Sequence, residues 1–91
     1  MLELVRKSRF KKDFKKLHSS GRDLEKLAEV IRTLQAREAL EDRYRYRDHL
    51  LIGDYVGHRE CHIAGDWLLI YQTTETELIL VRSGSHSVLF G

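Results

Sequence analysis

Residues 59 to 71 constrain this chain more than any other stretch. They read Arg59-Glu60-Cys61-His62-Ile63-Ala64-Gly65-Asp66-Trp67-Leu68-Leu69-Ile70-Tyr71 and place a turn between two strand-like segments. Gly65 tolerates a positive φ, and Asp66 can hydrogen-bond its own nearby backbone. Trp67 to Tyr71 is aromatic and branched, so the stretch predicts a β-hairpin that turns at Ala64-Gly65-Asp66. Titratable groups flank the turn: His62 ends the first strand and Asp66 opens the second, which brings them within several Å of each other. A hairpin that only builds core has no need of that pair.

The remaining elements arrange themselves around the hairpin. Leu2 to Val5 reads as a short strand, with Ser8 as the N-cap of a first helix. Phe10, Phe14 and Leu17 form its apolar stripe, and Lys11, Lys12, Lys15 and Lys16 its wet side. Ser19-Ser20-Gly21 ends that helix. Leu24, Leu27, Ala28, Ile31 and Leu34 predict a second helix to about Arg37, with Asp23 as its cap. Residues 38 to 53 lack a steady period and read as a loop. Thr73 to Thr76 is a polar turn, and Glu77 to Ser83 a final strand broken by Gly84 and buried on both faces through Leu78 to Val81. The order is β-α-α-β-β-β. The expected fold is a single α+β domain over residues 1–91, an antiparallel-rich sheet with a helical hairpin on one face.

Ninety-one residues suffice for one self-supporting core. The single Cys61 forms no internal disulfide, and no apolar run approaches the length of a membrane span, so the expectation is a cytoplasmic protein without a membrane partner. Net charge is only +2, but its distribution is uneven. Arg6, Lys7, Arg9, Lys11, Lys12, Lys15 and Lys16 face only Glu3 and Asp13 at the N-terminus. Arg43, Arg45 and Arg47 alternate with Tyr44 and Tyr46, a pattern suited to phosphate contact and base stacking. A solvated helix face explains the first cluster equally well.

His49 and His86 mark two further strand–loop junctions, where catalytic groups are often held. Metal-free RNA cleavage needs a base for the 2′-hydroxyl, an acid for the departing 5′-oxygen and positive charge beside the phosphorane. Histidine, with an ordinary pKa of about 6.5, serves each need. His49, His62 and His86 supply three imidazoles, and Asp66 can orient one or transfer a proton itself. Glu60 alternates onto the His62 face. His18 and His58 carry no assigned role. Trp67 has a rival reading as a core anchor, Cys61 reads as packing, and Arg59 and Arg82 either contact phosphate or pair with carboxylates.

From Asp48-His49 through Arg59-Glu60-Cys61-His62, Asp66-Trp67 and Gly84-Ser85-His86 to Leu89-Phe90-Gly91, the motif order resembles the YafQ branch of the RelE-like bacterial toxins. The resemblance covers roughly residues 45 to 91. It implies an mRNA interferase acting at the ribosomal A site without a cofactor, and a cognate antitoxin partner with a DNA-binding domain. It also implies His49, His62, Asp66 and His86 as catalytic, with Trp67 and Phe90 shaping the site or touching RNA. Arg59, Arg82, Arg45, Arg47, Lys11 and Lys15 complete the expected RNA-contacting or site-shaping set. Leu50 stands where the family pattern has proline, and Tyr55 where it commonly has tryptophan.

Two other functions fit parts of the pattern. A zinc hydrolase would use His and Asp ligands, but His62-x-x-x-Asp66 has helical spacing in a strand–turn context, and neither an HExxH nor a paired-cysteine pattern is present. A ParE-like gyrase binder shares the fold class, but the histidine set is superfluous to a protein that only binds.

Overall fold

The computed structural model describes residues 1–39, the backbone of 49–50, and residues 55–91. The elements are β1 (Glu3–Arg6), α1 (Ser8–Ser19), α2 (Leu24–Gln35), β2 (His49–Leu50), β3 (Arg59–Ala64), β4 (Trp67–Thr73), β5 (Glu77–Ser85) and α3 (His86–Phe90). They form one five-stranded sheet in the order β1-β5-β4-β3-β2. β1 runs parallel to β5, and every other pairing is antiparallel.

The helical hairpin packs on one face. Phe10, Leu17, Leu27 and Val30 bury against Cys61, Ile63, Trp67, Leu69, Tyr71, Leu78 and Leu80. On the other face Leu68 and Ile70 are covered by Leu89 of α3, flanked by Tyr55 and Val81. α3 is absent from the sequence-based order. Five residues are too few to show a helical period, and the contact that holds them is tertiary. β5 likewise continues through Gly84 to Ser85.

Both long helices close with the same paired bonds. After α1, Gly21 N–H donates to His18 and Arg22 N–H to Leu17; after α2, Arg37 N–H donates to Leu34 and Glu38 N–H to Thr33. Gly21 takes φ 75° without strain, whereas Arg37 takes φ 58° at the equivalent position. Asp23 caps α2 as expected, accepting from Glu25 N–H at 3.1 Å. Ser8 does not cap α1: the N-cap is Lys7, and no side chain bonds there.

The apolar stripe of α1 also differs from expectation. Its buried residues are Phe10, Asp13 and Leu17, while Phe14 is half exposed and stacks on Phe10. A carboxylate thus occupies the core-facing side of α1, because β1 ends at Arg6 and leaves the edge of β5 open beyond Leu80. Asp13 closes that edge by accepting from Ser83 N–H at 3.1 Å.

The hairpin turns through Gly65 and Asp66, with Ala64 paired to Trp67 and Gly65 at φ 54°. The register slips between His62 and Ala64, leaving Ile63 as an extra residue. The bulge lets Ile63 and Ala64 both pack toward the helices while His62 keeps the opposite face beside Leu68. A second slip, at Ile70/Tyr71, leaves Val81 extra and aligns Arg82 with Ile70. Among the described residues no helix is long and apolar enough to cross a membrane.

Candidate active site

His62, Gly65, Asp66, Leu68 and His86 line a depression of about 220 Å³ at the turn end of the sheet. Three elements converge there. β3 delivers His62 through the bulge, the turn delivers Asp66, and the β5–α3 junction delivers His86. The junction is tied to the turn by His86 N–H donating to the Asp66 carbonyl at 3.1 Å. Ser85 caps α3, its hydroxyl accepting from Val88 N–H at 3.2 Å.

His62 is half-buried, and its Nδ1 lies 3.1 Å from the Gly65 carbonyl. A carbonyl only accepts, so Nδ1 carries the proton and, in the neutral ring, the lone pair sits on Nε2. Asp66 and His86 are both exposed. Phe90 packs on His86 at 5.0 Å between ring centroids and meets Tyr55 edge-on at 5.8 Å. Leu89, beside it, is the buried anchor, so Phe90 is 40% exposed yet held at the rim of the depression. Tyr55 also takes the edge of His58 at 5.7 Å, which puts His58 closer to the site than its sequence position suggests.

Beneath this rim lies a buried ion pair. Arg82 donates from Nε to Asp13 at 2.8 Å and from its terminal nitrogen at 3.0 Å. The guanidinium is held well above its ordinary pKa, first by the hydrogen bonds to Asp13, against the opposing effect of burial, with the Tyr55 hydroxyl as a further partner. Arg82 is therefore a fixed positive group connecting α1 to the aromatic rim. At 9% exposure it is not the free phosphate arm that the sequence allowed.

Other sequence-based assignments need correction. Trp67 is 1% exposed on the helix side, with Nε1–H donating to Ser83 Oγ at 2.9 Å and Arg22 over its ring at 5.5 Å. It anchors the core and does not present a face to RNA. Arg59 lines a separate recess with Leu2, Leu34, Arg37 and Tyr71, near the opposite ends of β3 and β4 from the turn. Lys11 and Lys15 are exposed on the side of α1 turned from the sheet. The backbone of His49 pairs with Glu60 in β2, a short strand inside the stretch whose pattern predicts a loop. Glu60 is buried, two residues before His62 on the same strand. Arg45 and Arg47 lie outside the described residues.

Sequence reasoning missed Asp13 and Tyr55. Asp13 left a signal, since Phe10-x-x-Asp13-x-x-x-Leu17 places an acid on an apolar stripe; Tyr55 left one only in standing where the family pattern commonly has tryptophan. Among the described residues no group of three or more His, Cys, Asp or Glu side chains is arranged to hold a metal ion.

Fold and site together define a small α+β toxin domain of the RelE-like kind, with imidazole and carboxylate groups gathered at one end of its sheet. The chain belongs to the YafQ family, described as the bacterial toxin of type II toxin–antitoxin systems, whose family model matches residues 2–91. The mRNA interferase toxin YafQ of Escherichia coli K12 is 37% identical over 82 residues, covering 90% of this chain and 88% of that protein. A copper-bound mutant toxin from Helicobacter pylori superposes with a TM-score of 0.91 at 48% identity, covering 99% of this chain and all of the other. YafQ in the E. coli DinJ-YafQ toxin-antitoxin complex superposes with a TM-score of 0.88 at 32% identity, covering 99% of this chain and 98% of that one.

Proposed function

We propose that this chain is a ribosome-dependent mRNA endoribonuclease, the toxin of a toxin–antitoxin pair, and that it cleaves by metal-independent acid/base chemistry. The observation that carries this reading is the convergence of His62, Asp66 and His86 on one depression. In the proposed reaction the 2′-hydroxyl gives its proton to a base and attacks phosphorus. The P–O5′ bond then breaks, and the 5′-oxygen takes a proton from an acid. His86 and Asp66 are assigned the proton transfers, and His62 and His49 the stabilisation of charge on the phosphorane.

The Gly65 carbonyl holds the Nδ1–H of His62 and fixes the ring, and a proton taken up at Nε2 would make it a cation able to stabilise the phosphorane. Phe90, beside His86 and partly exposed, offers a ring on which a base can stack. A shallow site with few converging groups does little to orient a flexible RNA, which accounts for dependence on the ribosome to present the message. The YafQ–DinJ complex supports a cognate antitoxin as partner. The test is mRNA cleavage on programmed ribosomes, with wild type and His86→Ala compared at equal folded concentration. Loss of cleavage in the variant is expected; cleavage absent from the wild type would overturn the reading.

A further inference from the structure

A second surface adjoins the site from the α1 side. Arg9, Lys12 and Lys16 lie at i, i+3 and i+7 of α1, on the same side as Asp13, and with Asp13 and Arg82 they line a recess of about 210 Å³. Asp13 is already satisfied by Arg82 and by Ser83 N–H, so its carboxylate does not offset the three exposed cations above it. A second recess of about 170 Å³ shares Asp13 and Lys16 with the first and reaches Ser85 and Val88. Ser85 immediately precedes His86, which lines the depression described above. The three hollows therefore follow one another around the β5 edge, from the start of α1 to the histidines.

We infer that this edge is a guide for the single-stranded RNA being cleaved, with Arg9, Lys12 and Lys16 on the backbone phosphates next to the scissile one. The inference rests on the proposed RNA-cleaving function. Charge selects a polyanion, and continuity with the cleavage depression selects the substrate strand itself over an acidic peptide. Arg9 and Lys16 are about 10 Å apart along the helix axis, the length of about three phosphate spacings at the roughly 3.4 Å per-strand rise of a stacked helix. Arg22, half-buried against Trp67, lines the second recess and fixes a further cation along the path. Lys11 and Lys15, the sequence-based candidates on this helix, lie on its side turned from the sheet.

The test measures binding of fluorescent single-stranded RNA to the cleavage-deficient His86→Ala protein over a salt series. The comparison proteins also carry Arg9→Gln, Lys12→Gln and Lys16→Gln together, or Lys11→Gln and Lys15→Gln together. Each phosphate contact adds about 0.7 to the slope of log affinity against log salt, so the first set should flatten the slope by about 2 and weaken low-salt binding roughly tenfold or more. The second set should change it little. In otherwise wild-type protein, the first set should raise KM for ribosomal cleavage with kcat nearly unchanged. Equal slopes for all proteins would overturn the guide. An unchanged slope on free RNA with weaker antitoxin binding would reassign the surface to the antitoxin; with raised KM on ribosomes, it would reassign it to ribosomal RNA. Wild type that fails to cleave on ribosomes would defeat the functional reading, whereas intact cleavage with equal slopes would defeat only the guide.

Discussion

Asp13 and Arg82 meet through two hydrogen bonds of 2.8 and 3.0 Å, 69 residues apart in sequence and largely shut off from water. The same carboxylate accepts from Ser83 N–H, so a single side chain closes the sheet edge and fixes the cation that reaches Tyr55. Replacing Asp13 by Ala leaves a buried guanidinium and a backbone N–H without this partner. The expected loss is about 3 to 5 kcal/mol, or a fall in Tm of roughly 12 °C or more for a domain of this size. Asp13→Asn retains one acceptor and should lose less. Thermal unfolding followed by circular dichroism checks the order; an unchanged Tm for Asp13→Ala would show that the pair contributes no net stability.

Trp67 and Phe90, both expected to shape the site, part company in the structure: Trp67 is buried in the core, as its rival reading had it, and Phe90 stands partly exposed beside His86. Trp67→Phe removes the indole donor to Ser83 and should cost about 1 to 2 kcal/mol, with cleavage per folded molecule retained. A large fall in cleavage without a fall in Tm would restore Trp67 to the site.

Leu89 and Phe90 are neighbours with opposite roles. Leu89 is buried on Leu68 and Ile70, so Leu89→Ala should destabilise by about 2 to 4 kcal/mol. Phe90 stands partly exposed against His86, so Phe90→Ala, or removal of Phe90 and Gly91, should lower cleavage roughly tenfold or more with little change in Tm. A truncated protein that melts much earlier, with activity falling only in step with the folded fraction, would make Phe90 part of the core.

Gly65 is the conformational hinge of the hairpin. At φ 54° a side chain meets no neighbour, so the cost of Gly65→Ala is one of backbone alone, about 1 to 2 kcal/mol. The carbonyl that fixes His62 belongs to this residue, so cleavage should fall by more than the folded fraction does. Equal falls would mean that the His62–Gly65 bond does not orient the ring.

Local chemistry made the hairpin and both long helices legible. Gly65 beside a branched strand, Asp23 before a periodic stripe and Gly21 after one each act within a few residues. The bulge at Ile63, the pairing of β2 and the five residues of α3 depend on distant partners, and no short pattern announces them. At the site, His62, Asp66 and His86 were legible because strand ends expose what they carry. For Arg82 the sequence leaves phosphate contact and carboxylate pairing both open, because the partner that decides it, Asp13, lies 69 residues away. Lys11 and Lys15 stand out in the sequence by charge density, which does not say which side of a helix borders the sheet edge.

In the proposed reaction His86 transfers a proton during mRNA cleavage on the ribosome. The direct measurement is the single-turnover rate of cleavage of a ribosome-bound message by wild type, His86→Ala, Asp66→Ala and the double variant. His18→Ala, an exposed histidine of α1 with no assigned role, serves as the control. Each single site variant should lose about 10² to 10⁴ in rate with the fold intact, and the double should lose less than the product if the two act as one unit. Wild-type rates in His86→Ala, or a loss as large in His18→Ala, would remove His86 from the proton transfer.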